Sequence, residues 1–251
     1  MKIQTRNDRA AGVMRIMTGF AALAISGPFL FGLPAASMDA APATSASLSA
    51  AQPDAGSASS TIWAGYVVKK GRYTSVSASW AQPSVKAGSA PAYAYLWTGL
   101  DGWSSRQTDT IEQVGTGAES VNGHTEYWAW WEMFPGGPHT FSGATVSPGD
   151  QFASTVTYRS GRFTLTLTDA TQHWTRSVTR SGSAYRTSAE VIAEAPTNVL
   201  ANFGTARFHG ITVNGSRMRN PFPVTLKMAR VLATVSAFRN SNFTATWRHS
   251  R

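Results

Sequence analysis

The chain has 251 residues, with 22 Lys and Arg against 13 Asp and Glu for a formal net charge of +9, and it has no cysteine. That length suits one large domain or two small ones, and the lack of cysteine excludes disulfides, thiolate metal sites and a cysteine nucleophile. The basic residues are scattered, with no run beyond Lys69-Lys70, so the charge reads as a solvated basic surface rather than a nucleic-acid footprint.

In chain order, Lys2, Arg6, Arg9 and Arg15 make a positive start, Ile16 to Leu33 is mostly apolar, and Ala35, Ala36 and Ser37 are small. This pattern predicts a secretory signal over residues 1–37, with an uncleaved N-terminal anchor as the alternative. Residues 38–60 are almost wholly Ala, Ser, Thr, Pro and Asp. They hold too little apolar surface to order themselves, which predicts a disordered linker or short propeptide. The folded domain is then expected over residues 61–251.

From Ile62 onward the sequence alternates. In "RYTSVSASW" Tyr73, Ser75, Ser77 and Ser79 share one face, and Thr74, Val76, Ala78 and Trp80 the other; "QFASTVTY" and "RFTLTLTD" repeat the pattern. Turn signals such as Asn122-Gly123, Pro135-Gly136-Gly137 and Ser160-Gly161 recur at short intervals, and no segment keeps a helical period. The predicted fold is all-β, a two-sheet antiparallel β-sandwich of jelly-roll or concanavalin-like type, in one domain.

Four strands depart from simple apolar-in, polar-out patterning. "YLWTGLDG" (residues 95–102) runs a Trp97 strand into a Gly-Leu-Asp-Gly turn, and "TIEQVGTG" (110–117) sets Ile111, Gln113 and Gly115 on one face. "TEYWAWWEMFPGGP" (125–138) sets Glu126, Trp128, Trp130, Glu132 and Phe134 on one face, and "TSAEVIAEAP" (187–196) places Glu190, Ile192 and Glu194 together. Taken singly, a strand Trp is most often core and a strand Glu most often solvated. Together they put polar groups on otherwise apolar faces, which costs stability unless they are partnered. Indoles beside carboxyls also raise the cost of ionisation, a means of tuning an acid or base.

The ordered set W-T-G-L-D-G, I-E-Q-V-G, A-W-W-E-M-F-P, S-P-G-D and A-E-V-I-A-E in one cysteine-free β chain resembles the glutamic peptidases, the eqolisin family of secreted acid endopeptidases. The resemblance runs from about Trp63 to Phe208. It implies a β-sandwich with a substrate groove across one sheet and a catalytic dyad at Gln113 and Glu194. It also implies groove positions at Trp97, Asp101, Trp130, Glu132 and Glu190. Three positions depart from the family pattern: Val191 replaces an aromatic, and Gly117 and Trp128 replace acids.

A Gln–Glu pair suits peptide hydrolysis. A carboxylate takes a proton from water and passes it to the leaving amine, while a side-chain amide donates to the oxyanion without titrating. The pairing also avoids two like charges in one site. No metal or cofactor is implied, because the His residues are far apart in sequence and no zinc-ligand spacing or Gly-x-Ser-x-Gly elbow occurs. The expected partners are polypeptide substrates and not nucleic acid. The processed chain is expected to be an extracellular monomer without stable membrane association, with a bell-shaped optimum below about pH 6. Two rival readings remain at this stage: a non-catalytic carbohydrate-binding sandwich, and a glycosidase using Glu132 and Glu194.

Overall fold

The computed structural model describes residues 57–103 and 110–250. The expected signal segment and most of the expected linker lie outside the described residues. Among the described residues there is no helix, and the strands are β1 (Ala58–Ser60), β2 (Trp63–Lys69), β3 (Ser75–Ala81), β4 (Ala92–Leu100), β5 (Ile111–Val121), β6 (His124–Phe134), β7 (Pro138–Thr140), β8 (Gln151–Arg159), β9 (Arg162–Asp169), β10 (Trp174–Ser181), β11 (Ser188–Glu194), β12 (Thr205–Val213), β13 (Ser216–Arg217), β14 (Phe222–Lys227), β15 (Val231–Val235) and β16 (Phe243–Trp247).

Hydrogen-bonded neighbours run in the order β10-β9-β8-β3-β12-β16-β15-β14-β2-β11-β4-β5-β6-β7. This ribbon folds over so that β4, β5 and β11 pack on β3, β8 and β9, giving the two layers of a sandwich. β1 pairs with β14 in parallel register. The ordered body therefore begins inside the stretch read from sequence as linker: Ala58, Ser59 and Ser60 find backbone partners on β14 that composition does not reveal.

The alternation decides what lies between the layers. Val76, Ala78 and Trp80 of β3, Phe163, Leu165 and Leu167 of β9, and Val191 and Ala193 of β11 point inward and form one core. Leu96 of β4, Val114 of β5 and Trp131 of β6, in the same layer as β11, complete it against the β3 and β9 side chains. Trp80 stacks on Phe152 with ring centroids 6.1 Å apart. The opposite face of the β2-β11-β4-β5-β6 layer carries a second apolar cluster, which includes Trp63, Tyr95, Trp97, Trp128, Trp130 and Ile192. A strand layer with aromatic side chains on both faces has one face for cohesion and one for a site.

Candidate active site

The second aromatic face is built in rows by the strand register. Glu190 of β11 lies opposite Gly99 of β4, Gly99 opposite Gln113 of β5, and Gln113 opposite Glu132 of β6. The next row is Ile192, Trp97, Gly115 and Trp130, and the one after it Glu194, Tyr95, Gly117 and Trp128. Because side chains alternate with period two, all these residues share the face predicted from sequence.

Glycines make the face possible. A Cβ on Gly115 would sit 2.0 Å from the Leu96 carbonyl oxygen and 2.7 Å from the Trp97 Cβ, so no side chain fits beneath the two indoles of that row. A Cβ on Gly117 would meet the Trp128 indole at 2.6 Å. Trp128 thus lies over the strand where a side chain at 117 would stand. The two departures from the family pattern at 117 and 128 are one packing event: an indole fills the space that the resemblance would give to two acids.

Two hydrogen bonds fix the expected catalytic residues. The Trp97 indole Nε1 donates to Glu194 Oε2 at 2.7 Å. The Gln113 amide Nε2 donates to Glu132 Oε2 at 2.6 Å. Gln113 and Glu194 lie on a diagonal of the sheet, two rows and two strands apart. Their neighbourhoods meet through charge, because the Glu132 carboxyl acts on that of Glu194.

Burial dominates the electrostatics. It pushes Glu194 up to about 8; the Trp97 hydrogen bond opposes the rise, and the Glu132 carboxyl adds to it. The Trp63 indole opposes it more weakly, without closing a hydrogen bond of ordinary geometry. Burial likewise raises Glu132 to about 7, with the Gln113 amide pulling down. Two effects oppose each other at Glu194: desolvation by the indoles raises it, and the lack of acids at Gly117 and Trp128 removes an upward push. In the structure desolvation is the larger.

The face also presents polar atoms with no partner: Gln113 Oε1, Glu132 Oε1, the Tyr95 hydroxyl, and the indole nitrogens of Trp63, Trp128 and Trp130. Buried polar groups are nearly always satisfied in a working protein. A set of donors and acceptors converging on one face is therefore suited to receive water and a polar chain such as a peptide. Tyr95 packs on Trp128 edge-on at 5.6 Å and on Trp130 at 5.2 Å, which keeps these groups in place.

Two expected groove residues are placed differently. Glu190 is on the expected face but fully enclosed, and neither of its oxygens has a hydrogen-bond partner. Burial pushes its carboxyl well up; Ser188 and the Trp103 backbone oppose this, and Asp101 and Glu112 reinforce it. Asp101 is fully buried at a backbone φ of 63°, and its carboxyl accepts the backbone N–H groups of Arg186 and Thr187. It pins the chain entering β11 and so holds the strand that carries both glutamates, rather than facing the groove.

Trp63, Tyr95 and Trp128 were not singled out as groove residues from sequence. The signal for Tyr95 was present in the alternation Tyr93, Tyr95, Trp97. Trp63 is called to the site only by the pairing of β2 with β11, which sets it opposite Glu194. Buried Glu119, two residues beyond Gly117 on the same face, accepts from the Tyr93 hydroxyl at 2.7 Å.

Known proteins share this arrangement of strands. A scytalido-glutamic peptidase solved with a transition-state analog inhibitor superposes with a TM-score of 0.66 at 24% identity, covering 75% of this chain and 98% of that one. Aspergilloglutamic peptidase from Aspergillus niger gives a TM-score of 0.51 at 25% identity, covering 62% of this chain and 99% of that one. In sequence, scytalidopepsin B of Scytalidium lignicola is 35% identical over 137 residues, 53% of this chain and 50% of that protein. Aspergillopepsin-2 of Aspergillus niger is 32% identical over 120 residues, 39% of this chain and 40% of that protein. The matches thus span half or less of the length of these two curated relatives. The sequence pattern of the peptidase A4 family matches residues 61–247, from the turn before β2 to the end of β16. With that match covering most of its length, the chain belongs to the peptidase A4 family.

Proposed function

We propose that the protein is a secreted endopeptidase that hydrolyses polypeptides, with Glu194 as proton-transfer group and Gln113 as its amide partner. One observation carries the reading: on a single aromatic face, a buried carboxyl is held by the Trp97 indole, and a buried amide is held by Glu132. Water placed between them donates to Glu194 as its oxygen attacks the scissile carbonyl carbon. Glu194 then returns that proton to the leaving nitrogen as the C–N bond breaks. Gln113 spends one N–H on Glu132 and keeps a second for the oxyanion, while its unpartnered Oε1 is free to accept from the attacking water. Glu132 is a positioning residue, because it acts through Gln113. The Trp97, Trp128 and Trp130 indoles exclude bulk water and line the path of the substrate.

The carbohydrate-binding and glycosidase rivals are addressed by the same assay. Digestion of a denatured protein at pH 3 to 6, with a chelator present, is compared with incubation on polysaccharide under the same conditions. Proteolysis without glycan cleavage is the expected result. Glycan cleavage that survives Gln113→Ala would overturn the proposal.

A further inference from the structure

The scattered basic residues acquire a pattern once burial is known. Among the described residues Glu126 is the one exposed carboxylate, every other Asp and Glu being buried. The described Lys and Arg are exposed, apart from half-buried Arg176 and buried Arg186. The surface field is therefore nearly of one sign.

On the side of the sandwich away from the active-site face lies an open cavity of about 490 Å³ lined by Ala81, Gln151, Arg207, His209, Gly210 and Asn242. A β-bulge shapes it: the β12–β3 register shifts between His209 and Thr212, and Gly210 takes a φ of 62°. The Gly210 N–H donates to Asn242 Oδ1 at 3.3 Å, so the Asn242 amide nitrogen is left as a donor. Arg207 and His209, two apart on β12, are both exposed. No carboxylate lines the cavity. Asp150, next to Gln151, is buried, with its oxygens engaged by the Ser147 backbone and the Gln172 side chain. An arginine, an imidazole, an amide donor and no acid make a site suited to an anion.

The outward face leading away from this cavity is a lane of hydroxyls. Thr212, Ser77, Thr155, Thr166 and Ser177 lie in register across five strands, with Ser77 bonded to Thr212 at 2.7 Å and Thr166 to Ser177 at 2.9 Å. At the far end of β8 and β9, exposed Arg159 and Arg162 face each other. Arg159 lies six residues along β8 from Ala153, which pairs with Ser79, the partner of His209. That separation is about 20 Å at strand rise, too far for one small anion to touch both cationic ends. Arg, Ser, Thr and amide donors are the groups that contact phosphate oxygens.

We propose that this face binds a linear polyphosphate chain, seated at Arg207 and His209 and crossing the hydroxyl lane diagonally, over Ser77, Thr155 and Thr157, toward Arg159 and Arg162. Phosphate is preferred to carboxylate because the site is built of Arg, hydroxyl and amide donors, the groups that contact phosphate oxygens. Binding itself is independent of peptidase activity and is read without it.

The test is calorimetric titration of the full chain with linear polyphosphate and, separately, with orthophosphate at pH 5 and low salt. Polyphosphate should bind with an affinity that falls steeply with salt. The double variant Arg207→Gln/His209→Gln should weaken it by about tenfold or more, the loss of about 1.4 kcal/mol. The double variant Lys86→Gln/Lys227→Gln removes two exposed cations elsewhere and should change it by less than about threefold. No binding of polyphosphate would overturn the proposal. So would an equal loss in the two double variants, which would mean diffuse attraction to net charge. Orthophosphate binding as tightly as the polymer would remove the lane from the account.

Discussion

Glu194 and its neighbours can be tuned in opposite directions by single substitutions. The Trp97 indole donates to Glu194 and favours its ionised form. Trp97→Phe removes that donor, so the acidic limb of the kcat/KM profile should move up, by about one pH unit. The Glu132 carboxyl disfavours ionisation of Glu194, so Glu132→Gln should move the same limb down, while the new amide oxygen still accepts from Gln113. Parallel pH–rate profiles of the two variants and the parent read both shifts; two limbs moving together would contradict the assignment. Burial raises Glu194 and Glu132 above their ordinary value of 4.5. The acidic limb of the parent enzyme is therefore expected above 4.5, and a limb at or below it would mean that desolvation does not govern the site.

At the scale of the strand, the period-two pattern carried most of what could be read in advance. It put Glu190 with Glu194, and Trp130 with Glu132, on shared faces of their strands; the resemblance implied one groove for these together with Gln113 and Trp97, and the register sets all six on one face. It did not give the rows, because pairing is a property of two strands. Trp63 therefore escaped notice, and Asp101 was expected in the groove although backbone amides of a distant loop enclose it. It also gave no reason for Gly115 and Gly117, which read as gaps in a strand; Gly115 leaves room for the Leu96–Trp97 backbone and Gly117 for the Trp128 indole. Gly115→Ala would drive a methyl into the Leu96 carbonyl. Overpacking of this kind should cost about 1–3 kcal/mol, measured as a lower urea midpoint with an unchanged slope. A variant as stable as the parent would show that the β4–β5 spacing is slack.

At the scale of the whole molecule, the described carboxyls other than Glu126 are inside and the described cations other than Arg176 and Arg186 are exposed, and this couples folding to pH. Burial raises Glu112 to about 8, with Asp101 adding and Arg186 opposing, and Glu190 is raised too. Between the unfolded value near 4.5 and the folded value near 8, the native state holds protons that the unfolded chain has released. Stability is then fully present in acid and falls as pH rises through that window. Thermal unfolding followed from pH 4 to 8 should show a declining Tm. Glu112→Gln should flatten the decline, since an amide has no proton to lose. A Tm that rises toward neutrality would contradict the burial of neutral carboxyls.

The central claim is that Glu194 moves the proton in peptide hydrolysis, and Glu194→Gln tests it most directly. The amide keeps the shape and accepts from Trp97 but cannot take a proton from water. Turnover of a peptide substrate by the purified variant, with its β-sheet circular dichroism unchanged from the parent, should fall to background. Full turnover by the folded Glu194→Gln protein would contradict the account.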